Sequence, residues 1–199
     1  MWNSEKEQAA YKKYADTRTV YANNGYNIVE VSVSMLKANV FGMIAAIAIA
    51  YIFHAVYYHL FPLDQSAYTS TPLMLMLLLA SIVIHELLHG VFFSMFTSGT
   101  WRDKIHFGIN KISPYCSCTK PISAVGYACA GLAPFAILGM GMFVLSIQIN
   151  SRYLFMLSLY NILFCSGDLF MIALLLKHRP KEILDHPSRY GFYILKRKT

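Results

Sequence analysis

Residues 73–96 read LMLMLLLASIVIHELLHGVFFSMF, an apolar run interrupted only by Ser81, Ser94 and the group His85, Glu86 and His89. A helix needs about 20 such residues to cross the roughly 30 Å hydrocarbon core of a bilayer, so this stretch is long enough to span one. It carries an H-E-x-x-H pattern at membrane depth. Four residues apart on a helix, the rings of His85 and His89 project from one face a single turn apart and can grip one metal ion. Neutral imidazoles suit zinc, and Glu86, beside the first ligand, is placed to take a proton from metal-bound water as general base. Ionisable groups inside a membrane are costly and as a rule functional. The plainer alternative is a polar cluster that glues helices together or holds a structural metal.

Working outward, three more apolar stretches reach spanning length, at 38–61, 127–149 and 153–176. The expected fold class is an all-α integral membrane protein, with four transmembrane helices and short cytoplasmic β or loop elements. Three segments follow: an N-terminal segment 1–37, a four-helix core 38–176 and a C-terminal tail 177–199. The composition agrees, at 56% hydrophobic and 14% charged, where ordinary soluble domains are about 25% charged and disordered chains are poor in apolar residues. Four cysteines do not make a secreted disulfide scaffold. Glu5, Lys6, Glu7, Lys12, Lys13, Asp16 and Arg18 all precede the first apolar run, which is wrong for a cleavable signal peptide.

The net charge of +7 is distributed by side rather than by patch. With four spans, 16 of the 17 Lys and Arg residues fall on the side that holds both termini and the 97–126 loop; only Arg152 falls opposite. The positive-inside rule makes that side cytoplasmic, leaves the connections 62–72 and 150–152 outside, and removes the reason to invoke nucleic acid as a partner. Outside the spans, residues 28–34 (IVEVSVS) alternate after an Asn23-Asn24-Gly25 turn signal, and residues 191–195 (GFYIL) are β-prone. The two fit a pairing on the cytoplasmic face.

A catalytic zinc usually has three protein ligands. The extended motif of soluble metzincins would need a histidine where Met95 stands. Of the 10 acidic residues only Glu86 and Asp168 lie inside the four spans, so Asp168 is the candidate third ligand. Depth agrees independently. The second and fourth spans run in the same direction, and at 1.5 Å per residue His85, His89 and Asp168 all fall roughly 18–24 Å from the outer boundary.

Asn161, two turns before Asp168 on the same face, is a candidate substrate or oxyanion contact, although bonding across helices is the simpler role. Cys165, one turn before Asp168, is more readily core than a soft ligand. Cys116 and Cys118 form a lone C-x-C, a weak metal signal. His54 and His59 sit among Tyr51, Phe53, Tyr57, Tyr58 and Phe61, an aromatic belt at the end opposite the proposed metal. His106, His178 and His186 fall in cytoplasmic segments, with His186 a reserve ligand if the tail folds back. Pro134 frees a backbone carbonyl and kinks the third span, and irregular backbone at that depth is tolerated where it lines a cavity. Residues 104–109 suggest a hairpin beside the site whose edge strand offers main-chain hydrogen bonds to an extended substrate.

Several of these residues together resemble a family of small bacterial multipass zincin peptidases. They are His85-Glu86-Leu87-Leu88-His89-Gly90 with Phe92-Phe93, Ser113-Pro114-Tyr115 with Lys120-Pro121, Gly131-Leu132-Ala133-Pro134, Ser166-Gly167-Asp168-Leu169, and Asp185-His186-Pro187-Ser188 with Gly191-Phe192. The likeness runs from about residue 75 to the C-terminus. It implies a bacterial cytoplasmic membrane and one Zn2+ per chain on His85, His89 and Asp168. More distantly the arrangement is similar to site-2-type intramembrane metalloproteases, which pair H-E-x-x-H with an aspartate from a later helix. Their second motif usually has a proline between Asn and Asp and a glycine after the acid. Here residues 161–168 contain no proline, and Gly167 precedes the acid.

The function expected is a zinc-dependent peptidase that cuts a membrane protein or peptide near the cytoplasmic boundary, embedded in membrane lipid. The alternative is a non-catalytic scaffold or adaptor that retains a structural metal. A metal carrier would need His54, His59 and the motif to line one path, and the scarcity of intramembrane acids argues against it.

Overall fold

A computed structural model describes residues 5–61, 71–110, 113–186 and 189–198. The chain begins with helix α1 (Glu5–Asn23) and strand β1 (Tyr26–Val33), followed by two 26-residue helices, α2 (Met35–Leu60) and α3 (Thr71–Phe96). A single helical turn, α4 (Trp101–Lys104), leads into the hairpin β2 (Ile105–Asn110) and β3 (Ser113–Cys118) and the short β4 (Ile122–Ser123). Helix α5 (Ala124–Pro134) passes through a π-helical segment (Phe135–Gly141) into α6 (Met142–Gln148). Then come α7 (Arg152–Phe164), α8 (Ser166–His178), β5 (Glu182–Asp185) and β6 (Tyr190–Arg197).

Three helical stretches are long and apolar enough to cross a membrane: Leu36–Leu60, Thr71–Phe96 and Ala124–Gln148. The protein is mostly helical, with three such spans or four if α7 and α8 count together. The fourth stretch is not the straight helix expected from residues 153–176. It bends by 49° between Phe164 and Ser166. The cause is local: Cys165 has ψ 7°, out of the helical range, and the helix restarts on Ser166-Gly167, a pair that tolerates a sharp change of direction. Helix α2 packs on this break because Gly42 has no side chain; a β-carbon there would lie 1.9 Å from the carbonyl oxygen of Ser166. The third span departs from ideal geometry directly after Pro134, which cannot donate to the ladder, and a π segment absorbs the mismatch. The connection expected outside at 62–72 has residues 62–70 outside the described part of the chain.

The β structure is larger than the short elements expected. Strands 28–34 and 191–195 extend into β1 and β6, which pair antiparallel over their whole length from Tyr26↔Arg197 to Val33↔Tyr190. Strands β5 and β4 add to them in the order β1-β6-β5-β4. Alternation along β5 and β6 explains why the sheet is stable between two layers. Ile183, Phe192 and Ile194 face one core with Phe93, Tyr127, Met171 and Leu174 from the ends of α3, α5 and α8. Leu184, Tyr193 and Leu195 face the other, closed by Tyr14 of α1, which is 2% exposed. Helix α1, unanticipated among its charged residues, is held by the buried Tyr14, by Tyr21 packed on the same cluster and by Arg18, which donates to the Tyr193 hydroxyl and lies over its ring. A third cluster of Tyr57, Phe143 and Phe155 lies at the far ends of α2, α6 and α7, with the Tyr57 and Phe155 rings stacked at 3.9 Å. His54 belongs to that cluster.

Candidate metal centre

Both histidines of the motif turn inward from α3 and are 6% exposed. Asp168 comes from the first turn of α8, so the helix break delivers its carboxylate beside newly exposed N-terminal amides, where negative charge is favoured. Three donor atoms converge. His85 Nε2 and His89 Nε2 are 3.1 Å apart, His85 Nε2 and Asp168 Oδ2 are 3.2 Å apart, and His89 Nε2 and Asp168 Oδ1 are 3.4 Å apart. Among the described residues this is the one group of His, Cys, Asp or Glu suited to hold a metal ion. Tetrahedral zinc with donors at about 2.0–2.1 Å places neighbouring donors about 3.3–3.4 Å apart, so the triangle fits such an ion with little adjustment.

The orientation of His89 follows from Pro134. In an α-helix the N–H of residue 134 would bond the carbonyl of Ala130, but proline has no N–H. The released Ala130 carbonyl accepts instead from His89 Nδ1–H at 2.9 Å. With its proton held on Nδ1, the imidazole presents the Nε2 lone pair to the donor triangle. His85 has no such support, since its buried Nδ1 has no hydrogen-bond partner among the described residues.

Glu86 lies beside the triangle, and its carboxylate accepts from the backbone amide of Cys116. That contact defines how β3 faces the site. Thr119 N–H bonds Lys104 O at 2.8 Å, so by antiparallel alternation Ser117 and Tyr115 bond to β2, while the amides of Cys116 and Cys118 point away from it. The first meets Glu86 and the second meets Asp185 Oδ2 at 3.3 Å. Gly90, one turn after Glu86, makes room for the hairpin: a β-carbon there would sit 2.7 Å from the Phe107 ring.

Asp185, at the end of β5, is a buried carboxyl outside the triangle. It also accepts from the hydroxyl of Tyr127 at 3.3 Å and from the amide of His186 at 3.1 Å. Burial outweighs these bonds and pushes its carboxyl up to about 7. Burial likewise raises the Cys118 thiol to about 11 and lifts Cys116 further.

Other residues singled out in the sequence lie elsewhere. Asn161 is fully buried on α7, where its Nδ2–H donates to the Leu157 carbonyl at 2.8 Å, its backbone carbonyl accepts from the Cys165 N–H, and its side-chain Oδ1 has no partner among the described residues. Its side-chain bond is to the helix backbone, not to the triangle. The tail does fold back, but His186 Nε2 lies 3.4 Å from Glu30 Oε1 and its ring stacks on Tyr193. Cys165 is buried core, and Cys118 Sγ donates to the Lys120 carbonyl.

Sequence reasoning missed Tyr190. The first residue of β6, it lies over the α7–α8 break, with Cε1 3.0 Å and the hydroxyl 3.6 Å from where a β-carbon on Gly167 would stand. The unusual order Gly-Asp, with the glycine before the acid, was the one signal available.

The buried histidine pair of an H-E-x-x-H helix, closed by a carboxylate from a second helix, is a donor set that could hold one metal ion. The comparison with known families agrees: a family model described as "Putative zincin peptidase" matches residues 78–184, and the chain belongs to that family. The family implies a zinc metallopeptidase. No curated protein and no solved structure matches this chain.

Proposed function

We propose that this protein is a zinc-dependent peptidase of the membrane, hydrolysing peptide bonds of a membrane protein or membrane-bound peptide near the cytoplasmic boundary. The convergence of His85, His89 and Asp168 at 3.1–3.4 Å, with Glu86 at its side, carries this reading. Zinc on these donors would supply a Lewis acid and bring the pKa of water down toward about 7. The chain's own residues do the rest. Pro134, through the Ala130 carbonyl, fixes the His89 tautomer. Glu86 takes the proton of the attacking water and hands it to the leaving amine. The outward amides of β3 at Cys116 and Cys118 are taken by Glu86 and Asp185, so this edge positions the base and does not itself pair with an extended substrate.

The distribution of Lys and Arg supports cytoplasmic termini in a bacterial cytoplasmic membrane, with lipid and a peptide substrate as partners and no nucleic acid. The general-base role is tested by Glu86→Gln. The variant is expected to keep its zinc and lose cleavage of a co-expressed membrane substrate by a factor of about 100 or more. Cleavage at the wild-type rate would remove Glu86 from the mechanism. Absence of cleavage by both proteins, with zinc retained, would favour the scaffold.

A further inference from the structure

We infer that Tyr190 is a catalytic residue of this site, its hydroxyl donating a hydrogen bond to the oxyanion that forms when water adds to the scissile carbonyl. The inference rests on the peptidase reading for its chemistry, but its geometry is independent of that reading. Three observations place the hydroxyl. Gly167, directly before Asp168, leaves a gap that the Tyr190 ring fills, its Cε1 3.0 Å and hydroxyl 3.6 Å from the missing β-carbon. Any larger residue at 167 would push the ring away from the first turn of α8. The neighbouring Gly191 lets β6 approach β1 closely, since a β-carbon there would meet the Val31 carbonyl oxygen, and this fixes the register in which Tyr190 starts the strand. Finally, the ring is half-buried, packed against the core beneath the sheet.

The chemistry of the position favours a donor. Burial, then the charges of Asp168 and Glu86, raise the Tyr190 phenol above its ordinary range, so it stays protonated at cellular pH. Those two carboxylates are a metal ligand and the proposed base, so the hydroxyl stands within electrostatic reach of both. In hydrolysis the water oxygen bonds to the carbonyl carbon as its proton passes to Glu86, and the carbonyl π pair moves onto oxygen. Collapse restores the carbonyl and breaks the C–N bond, with the proton going from Glu86 to the amine. Tyr190 transfers no proton; it donates one hydrogen bond to the oxygen while that atom is negative, a contact stronger in the transition state than in the ground state.

The test uses full-length protein in detergent, loaded with cobalt in place of zinc and titrated with inorganic phosphate as a tetrahedral anion, read by visible absorption of the cobalt. Tyr190→Phe keeps the ring on Gly167 and is expected to retain stoichiometric cobalt and its spectrum while binding phosphate about tenfold more weakly or worse. Gly167→Ala, which keeps the hydroxyl but displaces the ring, is expected to weaken phosphate in the same direction. Equal affinity in Tyr190→Phe and the parent overturns the inference, as does a parent spectrum that phosphate leaves unchanged. Loss of cobalt from both variants also overturns it, because Tyr190 would then be holding Asp168 in place. If Tyr190→Phe alone loses cobalt, the Gly167→Ala titration decides by the same criterion. Against a random-sequence peptide mixture, Tyr190→Phe should lower kcat with KM within about twofold, as expected for a transition-state contact. No hydrolysis by the parent, with phosphate binding still dependent on Tyr190, would sink the peptidase reading and leave the anion donor standing.

Discussion

At the scale of single residues, Asp185 makes the most direct statement about pH. Its carboxyl is pushed up to about 7 in the fold, chiefly by burial, against about 3.9 in an unfolded chain. The folded state therefore holds a proton that the unfolded state gives up between those values. Stability from this group is complete below about pH 4, falls as the pH rises to about 7 by a few kcal/mol, and is level above that. Asp185→Asn cannot titrate, so its melting temperature should fall less than that of the parent between pH 5 and pH 8. Identical pH dependence in the two proteins would show that Asp185 is not held neutral. Residue-scale legibility in the sequence was uneven, for a physical reason. His85 and His89 are one turn apart on one helix, so spacing alone relates them. Asp168 stands out because acids inside apolar segments are rare. Tyr190 reaches Gly167 only through the register of β6 on β1, which no local pattern encodes.

At the scale of elements, the irregular backbone matters more than the regular helices. Pro134 leaves the Ala130 carbonyl free for His89, and the break after Phe164 sets Asp168 in a first helical turn. Restoring the missing N–H with Pro134→Ala lets residue 134 compete for that carbonyl. The variant should stay folded, because alanine suits a helix, yet bind zinc about 10- to 100-fold more weakly, as loss of an outer-shell partner typically does. Zinc affinity equal to the parent would mean that the His89–Ala130 bond does not orient the ligand. A kink near Pro134 can be expected from the residue itself. The bend at Cys165 could not be, since apolar periodicity reads straight through it and the Ser166-Gly167 pair marks a tolerance for bending, not a direction.

For the whole molecule, the sheet ties both ends of the chain to the site. Strands from 26–33 and 190–197 pair side by side, and one face of the sheet closes over the ends of α3, α5 and α8. Composition made the membrane class legible, and alternation marked β1 and β6. Helix α1 was hidden because it is anchored by Tyr14 and not by an apolar stripe. The proposed orientation, from the Lys and Arg distribution, has this layer on the cytoplasmic side. Cysteines introduced at exposed positions Thr19 and Lys198 should resist a membrane-impermeant maleimide in intact cells and react after lysis. Labelling in intact cells would reverse the orientation.

The proposed function stands on one metal ion shared by a histidine pair from α3 and a carboxylate from α8. Its most direct measurement is zinc content per chain in detergent-purified protein beside the His85→Ala and Asp168→Ala variants. One zinc in the parent and its loss from both variants is the expected result. Stoichiometric zinc in Asp168→Ala would contradict it.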